Sequence, residues 1–127
     1  AYENAEYTLL LRNVPPDERR KIVVPLMERV GLDGDQMNRK PHELSGGQQQ
    51  RVAVVRAIAS KPLMVLADEP TANLDSETSA ALLDLMQDLN QNDGITFVFA
   101  SHDQAVVERV KRVVHLKDGC IDRDEVR

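Results

Sequence analysis

Leu63-Met64-Val65-Leu66-Ala67-Asp68-Glu69 is a short apolar run closed by two acids, and its reading decides the fold. Residues 63–67 are too few for a helix and continuously apolar, as expected of a parallel strand covered on both faces. A partner strand follows at Ile95-Thr96-Phe97-Val98-Phe99-Ala100, rich in β-branched and aromatic residues. Between the two, Asp75 or Ser76 caps a long helix whose stripe is Leu82, Leu85, Met86 and Leu89, and Gly94 ends it. Parallel strands joined by a helix form a β-α-β core with a right-handed crossover. The fold class is α/β.

Downstream, 104–110 reads as a short helix, and Val113–Leu116 and Cys120–Ile121 flank Asp118-Gly119, a two-residue hairpin signal. Upstream, Ser45 and Gln48 have capping-box spacing, so a helix should begin at Gly46 and reach roughly Ser60 before Lys61-Pro62. Its apolar positions wrap most of the way round, which predicts a largely buried helix. Residues 33–42 are polar, carry Gly34 and Pro41, and read as a loop. Asp17 to Val30 is helical with Ile22, Leu26, Met27 and Val30 on one stripe; Pro25 predicts a kink or break, and Gly31 the end. Residues 1–11 are helix-compatible and Pro15-Pro16 interrupts them.

Composition excludes several classes. Sixteen basic against 21 acidic residues in 127 leave a net charge of −5, which argues against nucleic acid as a partner. Aromatics are 3 % with no Trp, too few for a base-stacking surface. No apolar run approaches the roughly 20 residues that cross a bilayer, and no signal peptide opens the chain. The lone Cys120 excludes an internal disulfide and a multi-cysteine metal site. The expectation is a soluble, cytoplasmic α/β protein.

Three stretches carry chemistry. At Leu44-Ser45-Gly46-Gly47-Gln48 a helix start exposes unpaired N–H groups and the positive end of its dipole, two glycines let an anion approach, and a serine hydroxyl adds a donor. A capped helix whose glycines serve only a tight entry accounts for the same residues. Asp68-Glu69 places carboxylates at the C-terminal edge of a sheet, where open α/β folds bind ligands. Successive side chains point apart, so one acid could hold Mg²⁺ through water while the next polarises an attacking water, unless both only cap the turn at Pro70-Thr71. Ser101-His102-Asp103 should lie on the same edge, where an imidazole could bond a phosphate oxygen or water. His42 and His115 read as loop and strand residues without a role.

Ser45-Gly46-Gly47-Gln48, the apolar run into Asp68-Glu69, Asn73-Leu74-Asp75 and His102, in that order, together resemble the ATP-binding-cassette (ABC) ATPase family. Tyr2-Glu3-Asn4 with Ala67-Asp68-Glu69-Pro70-Thr71 is similar to its lipoprotein-releasing and macrolide-exporting branch. The resemblance implies a P-loop NTPase-like core with an N-terminal helical subdomain. It implies the signature motif at Leu44–Gln48, Asp68 for magnesium, Glu69 as catalytic base, Asn73–Asp75 as D-loop and His102 as switch histidine. It further implies ATP and Mg²⁺ as cofactors and a head-to-tail dimer with a second nucleotide-binding domain. There Ser45, Gly46, Gly47 and Gln48 would serve the partner's ATP, and Asp75 would cross the interface. Residues around Tyr2 to Val30 would meet a transmembrane permease, holding the protein on the inner face of the plasma membrane.

One departure is large. The pattern G-x-x-x-x-G-K-[ST] is absent, and none of the five lysines follows a glycine. By the resemblance, the P-loop, the adenine-stacking aromatic and the Q-loop glutamine lie upstream of the signature. The expectation is the second half of a nucleotide-binding domain, with residues 1–60 the helical subdomain and 61–127 the rest of the core. Such a chain is expected not to hydrolyse ATP alone, and to self-associate or swap elements through the edge of strand 95–100. Two rivals are a non-catalytic self-associating fragment and a DNA-repair or chromosome-maintenance ATPase, whose coiled-coil heptads do not occur here. Gly47→Asp is expected to block ATP-driven dimerisation while sparing the fold.

Overall fold

A computed structural model describes all of the chain, residues 1–127. The helical part comprises α1 (Tyr2–Ala5), α2 (Tyr7–Leu11), α3 (Pro16–Arg29), α4 (Asp35–Asn38), a 3₁₀ turn (Pro41–Glu43) and α5 (Gly46–Ile58). After it come β1 (Met64–Asp68), α6 (Ser76–Asp93), β2 (Thr96–Ala100), α7 (Gln104–Arg109), β3 (Arg112–Lys117) and β4 (Cys120–Val126).

Helix α3 opens with Pro16, whose missing N–H costs nothing in a first turn, and Asp17 and Glu18 meet the positive end of the dipole. It closes in a Schellman motif: Gly31, at φ +74°, donates to the Glu28 carbonyl at 2.9 Å, and Leu32 N–H donates to that of Met27 at 2.8 Å. The predicted break at Pro25 does not occur. Pro25 lies on the exposed side, so the bond it forfeits faces solvent while Val23 and Met27 anchor the opposite face in the core. Residues 33–42 are not wholly loop: α4 and the 3₁₀ turn each add one tight turn.

Helix α5 is the wall between two cores. Val52, Val55 and Ala59 pack with Ala5, Leu9, Val23, Met27 and Leu32. Val54 and Ile58 pack with Leu82, Met86, Leu89 and Ile95. This is why its apolar residues wrap round the axis rather than forming a stripe. It stops at Ile58, two residues short of the expected Ser60. Arg29, at the end of α3, pairs with Asp88 and Asp93 of α6, both at 2.7 Å, tying the helical part to the sheet side.

Strands β1 and β2 are parallel, with Met64 opposite Thr96 and Asp68 opposite Ala100. Val65, Ala67, Phe97 and Phe99 face the second core. The expectation that both faces are covered is corrected: Met64, Leu66 and Val98 are 53 %, 77 % and 45 % exposed. Helices α5 and α6 cover one face only, and no element of this chain lies over the other. The hairpin β3–β4 forms a separate two-stranded sheet. Its turn places Asp118 at φ +50° and Gly119 at φ +77°, the left-handed pair that such a turn requires.

Candidate functional site

The end of β1 and the end of β2 meet beyond their last paired residues. Glu69 N–H donates to the Ala100 carbonyl at 2.9 Å, and Glu69 then adopts φ +44°, a left-handed conformation that non-glycine residues rarely take. That turn brings its side chain against the loop after β2. His102 Nδ1 lies 2.6 Å from Glu69 Oε1, and Ser101 Oγ donates to Oε2 at 3.1 Å. The hydrogen bond from His102, then that from Ser101, holds the Glu69 carboxyl below the usual carboxylate range, against the opposing effect of desolvation. An ionised carboxylate only accepts, so His102 Nδ1 carries a hydrogen and Nε2 is left for another partner. The imidazole is 91 % exposed, open to one.

Asp103 caps α7. Its Oδ1 accepts from Ala105 N–H at 2.9 Å and its Oδ2 from Thr71 Oγ1 at 2.7 Å; the Thr71 bond foremost lowers its carboxyl. Glu69, Thr71, Asn73, His102, Asp103 and Gln104 line an open cleft of about 500 Å³. Asp68 ends the exposed face of β1.

A second locus lies at the start of α5, and none of Ser45, Gly46, Gly47 and Gln48 lines the cleft. Ser45 Oγ accepts from Gln48 N–H at 3.2 Å, and Ser45 N–H donates to Gln48 Oε1 at 2.9 Å, the reciprocal capping box. Gly46 is exposed; a Cβ there would touch only Leu74 Cδ2, at 3.4 Å. Gly47 is buried, and a Cβ on it would overlap Thr78 Cγ2. Thr78 is itself held by Asp75, whose carboxylate accepts from Thr78 N–H at 2.9 Å and Thr78 Oγ1 at 2.6 Å. Those two bonds hold the Asp75 carboxyl below its ordinary range. The starts of α5 and α6 therefore sit side by side. The expectation that Gly47→Asp spares the fold is corrected, because any side chain at 47 collides with α6.

The family model described as ABC transporter matches residues 2–72, more than half of the chain. This chain belongs to the ABC transporter ATP-binding family. Among its relatives, the cell division ATP-binding protein FtsE of Mycobacterium tuberculosis is 45 % identical over 127 residues, 99 % of this chain and 54 % of that protein. The lipoprotein-releasing system ATP-binding protein LolD of Pseudomonas fluorescens is 44 % identical over 119 residues, 94 % of this chain and 52 % of that protein. The ATP-binding cassette MJ0796 of Methanocaldococcus jannaschii, solved as a dimer in a post-hydrolysis state bound to ADP and Pi, superposes with a TM-score of 0.83 at 41 % identity. The match covers 98 % of this chain and 55 % of that one. The chain thus spans about half the length of the curated relatives it matches.

In this ABC chain no three His, Cys, Asp or Glu side chains group to hold a metal. The exposed Asp68 carboxylate fits a Mg²⁺ ion that keeps most of its water and takes one protein oxygen. The sequence reading brought Glu69 and His102 to one edge, as found, but missed that Thr71, Ser101 and Asp103 support them. A hydroxyl two residues before an N-capping Asp was the only local signal. Thr78 carried none, since its part is set by a helix 30 residues earlier.

Proposed function

We propose that this chain forms the part of an ABC transporter's ATP-hydrolysing subunit that bears the signature motif and the catalytic base. The observation that carries this reading is the pair formed by ionised Glu69 and His102 Nδ1, 2.6 Å apart at the carboxyl edge of a parallel sheet. Glu69 accepts a proton from the water that attacks the γ-phosphate of ATP. His102 keeps that carboxylate in place and turns Nε2 to the substrate. In the neutral ring Nε2 accepts from water; in the doubly protonated ring it donates to a phosphate oxygen. Asp68 would hold Mg²⁺, which when bound offsets the charge of the phosphates.

The start of α5, with Ser45, Gly46, Gly47 and Gln48, serves the γ-phosphate of ATP held by a second nucleotide-binding domain in a head-to-tail dimer. Its backbone N–H groups and dipole do this, and the Ser45–Gln48 box keeps them in register. Asp75 reaches the same interface while capping α6. Residues 1–60 act as the helical subdomain and 61–127 as the remaining core. Around Tyr2 to Val30 the surface meets the permease; Tyr7, Leu10 and Leu11, at 51 %, 46 % and 66 % exposure, support this. No helix is long and apolar enough to cross a membrane, and the protein would sit on the cytoplasmic face through that permease, driving export or lipoprotein release.

The isolated 127-residue chain does not turn ATP over, because the lysine and backbone cradle of the P-loop pattern are not in its sequence. A second reading, self-association of that isolated chain, rests on the bare apolar face where Leu63 and Leu66 are 90 % and 77 % exposed. The primary reading is tested by Glu69→Gln in a polypeptide that supplies the P-loop half. Hydrolysis should fall about 10²- to 10⁴-fold while ATP binding persists. Near-normal turnover removes Glu69 from the mechanism.

A further inference from the structure

Glu69 is held by more than His102. Its Oε2 accepts from Ser101 Oγ at 3.1 Å, and a serine hydroxyl has a single proton to give. Asp103 N–H, 3.1 Å from the same Oγ, occupies an acceptor position on it, so the proton is directed toward Glu69. Asp103 is in turn fixed at both oxygens, by Ala105 N–H and by the hydroxyl of Thr71. Thr71 is 5 % exposed and stands two residues after Glu69. The contacts therefore close a ring from Glu69 through Pro70 and Thr71 to Asp103, Ser101 and back, joining the ends of β1 and β2. Within the ring Ser101 engages only Oε2 of Glu69, while Oε1 lies outside it, against Nδ1 of the exposed His102 imidazole.

We propose that Ser101 is a positioning residue that ties down Glu69 Oε2, so that Oε1 is the oxygen presented to water, and that Thr71 acts through Asp103 to hold Ser101 in that role. The inference rests on the reading of Glu69 as the base. Glu69 follows the last residue of β1 and has a left-handed backbone, so strand pairing alone does not orient its carboxylate. Without the Ser101 bond only the bond from the exposed His102 remains, and the carboxylate rotates more readily about its last side-chain torsion, exchanging its two oxygens. A threonine at 101 keeps the hydroxyl, and an alanine does not.

The test uses Ser101→Ala, Ser101→Thr and Thr71→Val. In a polypeptide that supplies the P-loop half, Ser101→Ala should lower kcat roughly tenfold, the scale of one hydrogen bond to a charged acceptor, with KM for ATP within about twofold. Ser101→Thr should restore most of kcat, and Thr71→Val should fall between. In the isotopically labelled 127-residue chain, ¹³C relaxation should show the Glu69 side chain more mobile in Ser101→Ala and restrained again in Ser101→Thr. Backbone amide spectra of β1 and β2 should stay unchanged. A Glu69 side chain equally ordered in Ser101→Ala overturns the proposal, as does a kcat that threonine fails to recover. A loosened Glu69 together with full turnover in Glu69→Gln upholds the positioning and strikes only the assignment of the base.

Discussion

Gly47 is the point where the starts of α5 and α6 press together, and replacing it with alanine measures that contact. Thr78 is held from two sides by Asp75, through its N–H at 2.9 Å and its hydroxyl at 2.6 Å. Its Cγ2 therefore points at Gly47, and a new Cβ overlaps it. Overpacking of this kind costs about 1–3 kcal/mol. Alanine recovers up to about 1 kcal/mol of helix propensity, which leaves a net loss of about 1 kcal/mol or slightly more. With a urea slope of about 1.5 kcal/mol/M, the unfolding midpoint followed by circular dichroism drops by roughly 0.7 M. Thr78→Ser deletes Cγ2 but keeps the hydroxyl that bonds Asp75, and the next atom, the Thr78 Cβ, lies at an ordinary 3.8 Å. Gly47→Ala/Thr78→Ser should thus regain the stability lost in Gly47→Ala, with a coupling energy of about 1 kcal/mol or more. If Gly47→Ala unfolds at the wild-type midpoint, or if Thr78→Ser fails to relieve it, the packing explanation of this glycine is wrong.

The anion role of the α5 start is better tested at Gly46, which is exposed. Gly46→Asp should abolish ATP-driven dimerisation in a polypeptide that supplies the P-loop half, with an unchanged urea midpoint, and a mutant that still dimerises removes the site. Acid stability follows from Glu69, Asp75 and Asp103, all lowered in the fold. Their contribution is present above the unfolded carboxylate value of about 4 and is lost as pH falls through the lower folded values. Urea midpoints should decline below about pH 4, less steeply in Asp75→Asn, and an identical slope in that variant rules out its part. Leu66→Glu, at a position 77 % exposed, should reduce self-association of the 127-residue chain in sedimentation without altering its circular dichroism. Unchanged association would place the contact elsewhere.

Much of this protein is local, and what is local was legible. The Ser45–Gln48 box needs residues three apart, the Asp118-Gly119 turn needs two adjacent residues that accept positive φ, and α6 declares both ends through Asp75 and Gly94. Each is a free-energy preference of a few neighbouring residues, so it is written in a short window. The order of the apolar strand, the two acids and the histidine likewise placed Glu69 and His102 on one edge, because parallel strands joined by a helix end on the same side. The rest is decided by residues distant in the chain. An apolar strand reads alike whether one face or both are covered, so the exposure of Leu66 and Val98 depends on which helices pack beside them. A proline in a helix reads as a break until its side is known, and Pro25 lies where the lost bond faces water. Gly47 reads as an open approach for an anion until α6 brings Thr78 against it. The Thr71–Asp103–Ser101–Glu69 ring joins residues about 30 positions apart, and closing a loop of that length is a property of the packed core, not of any segment within it.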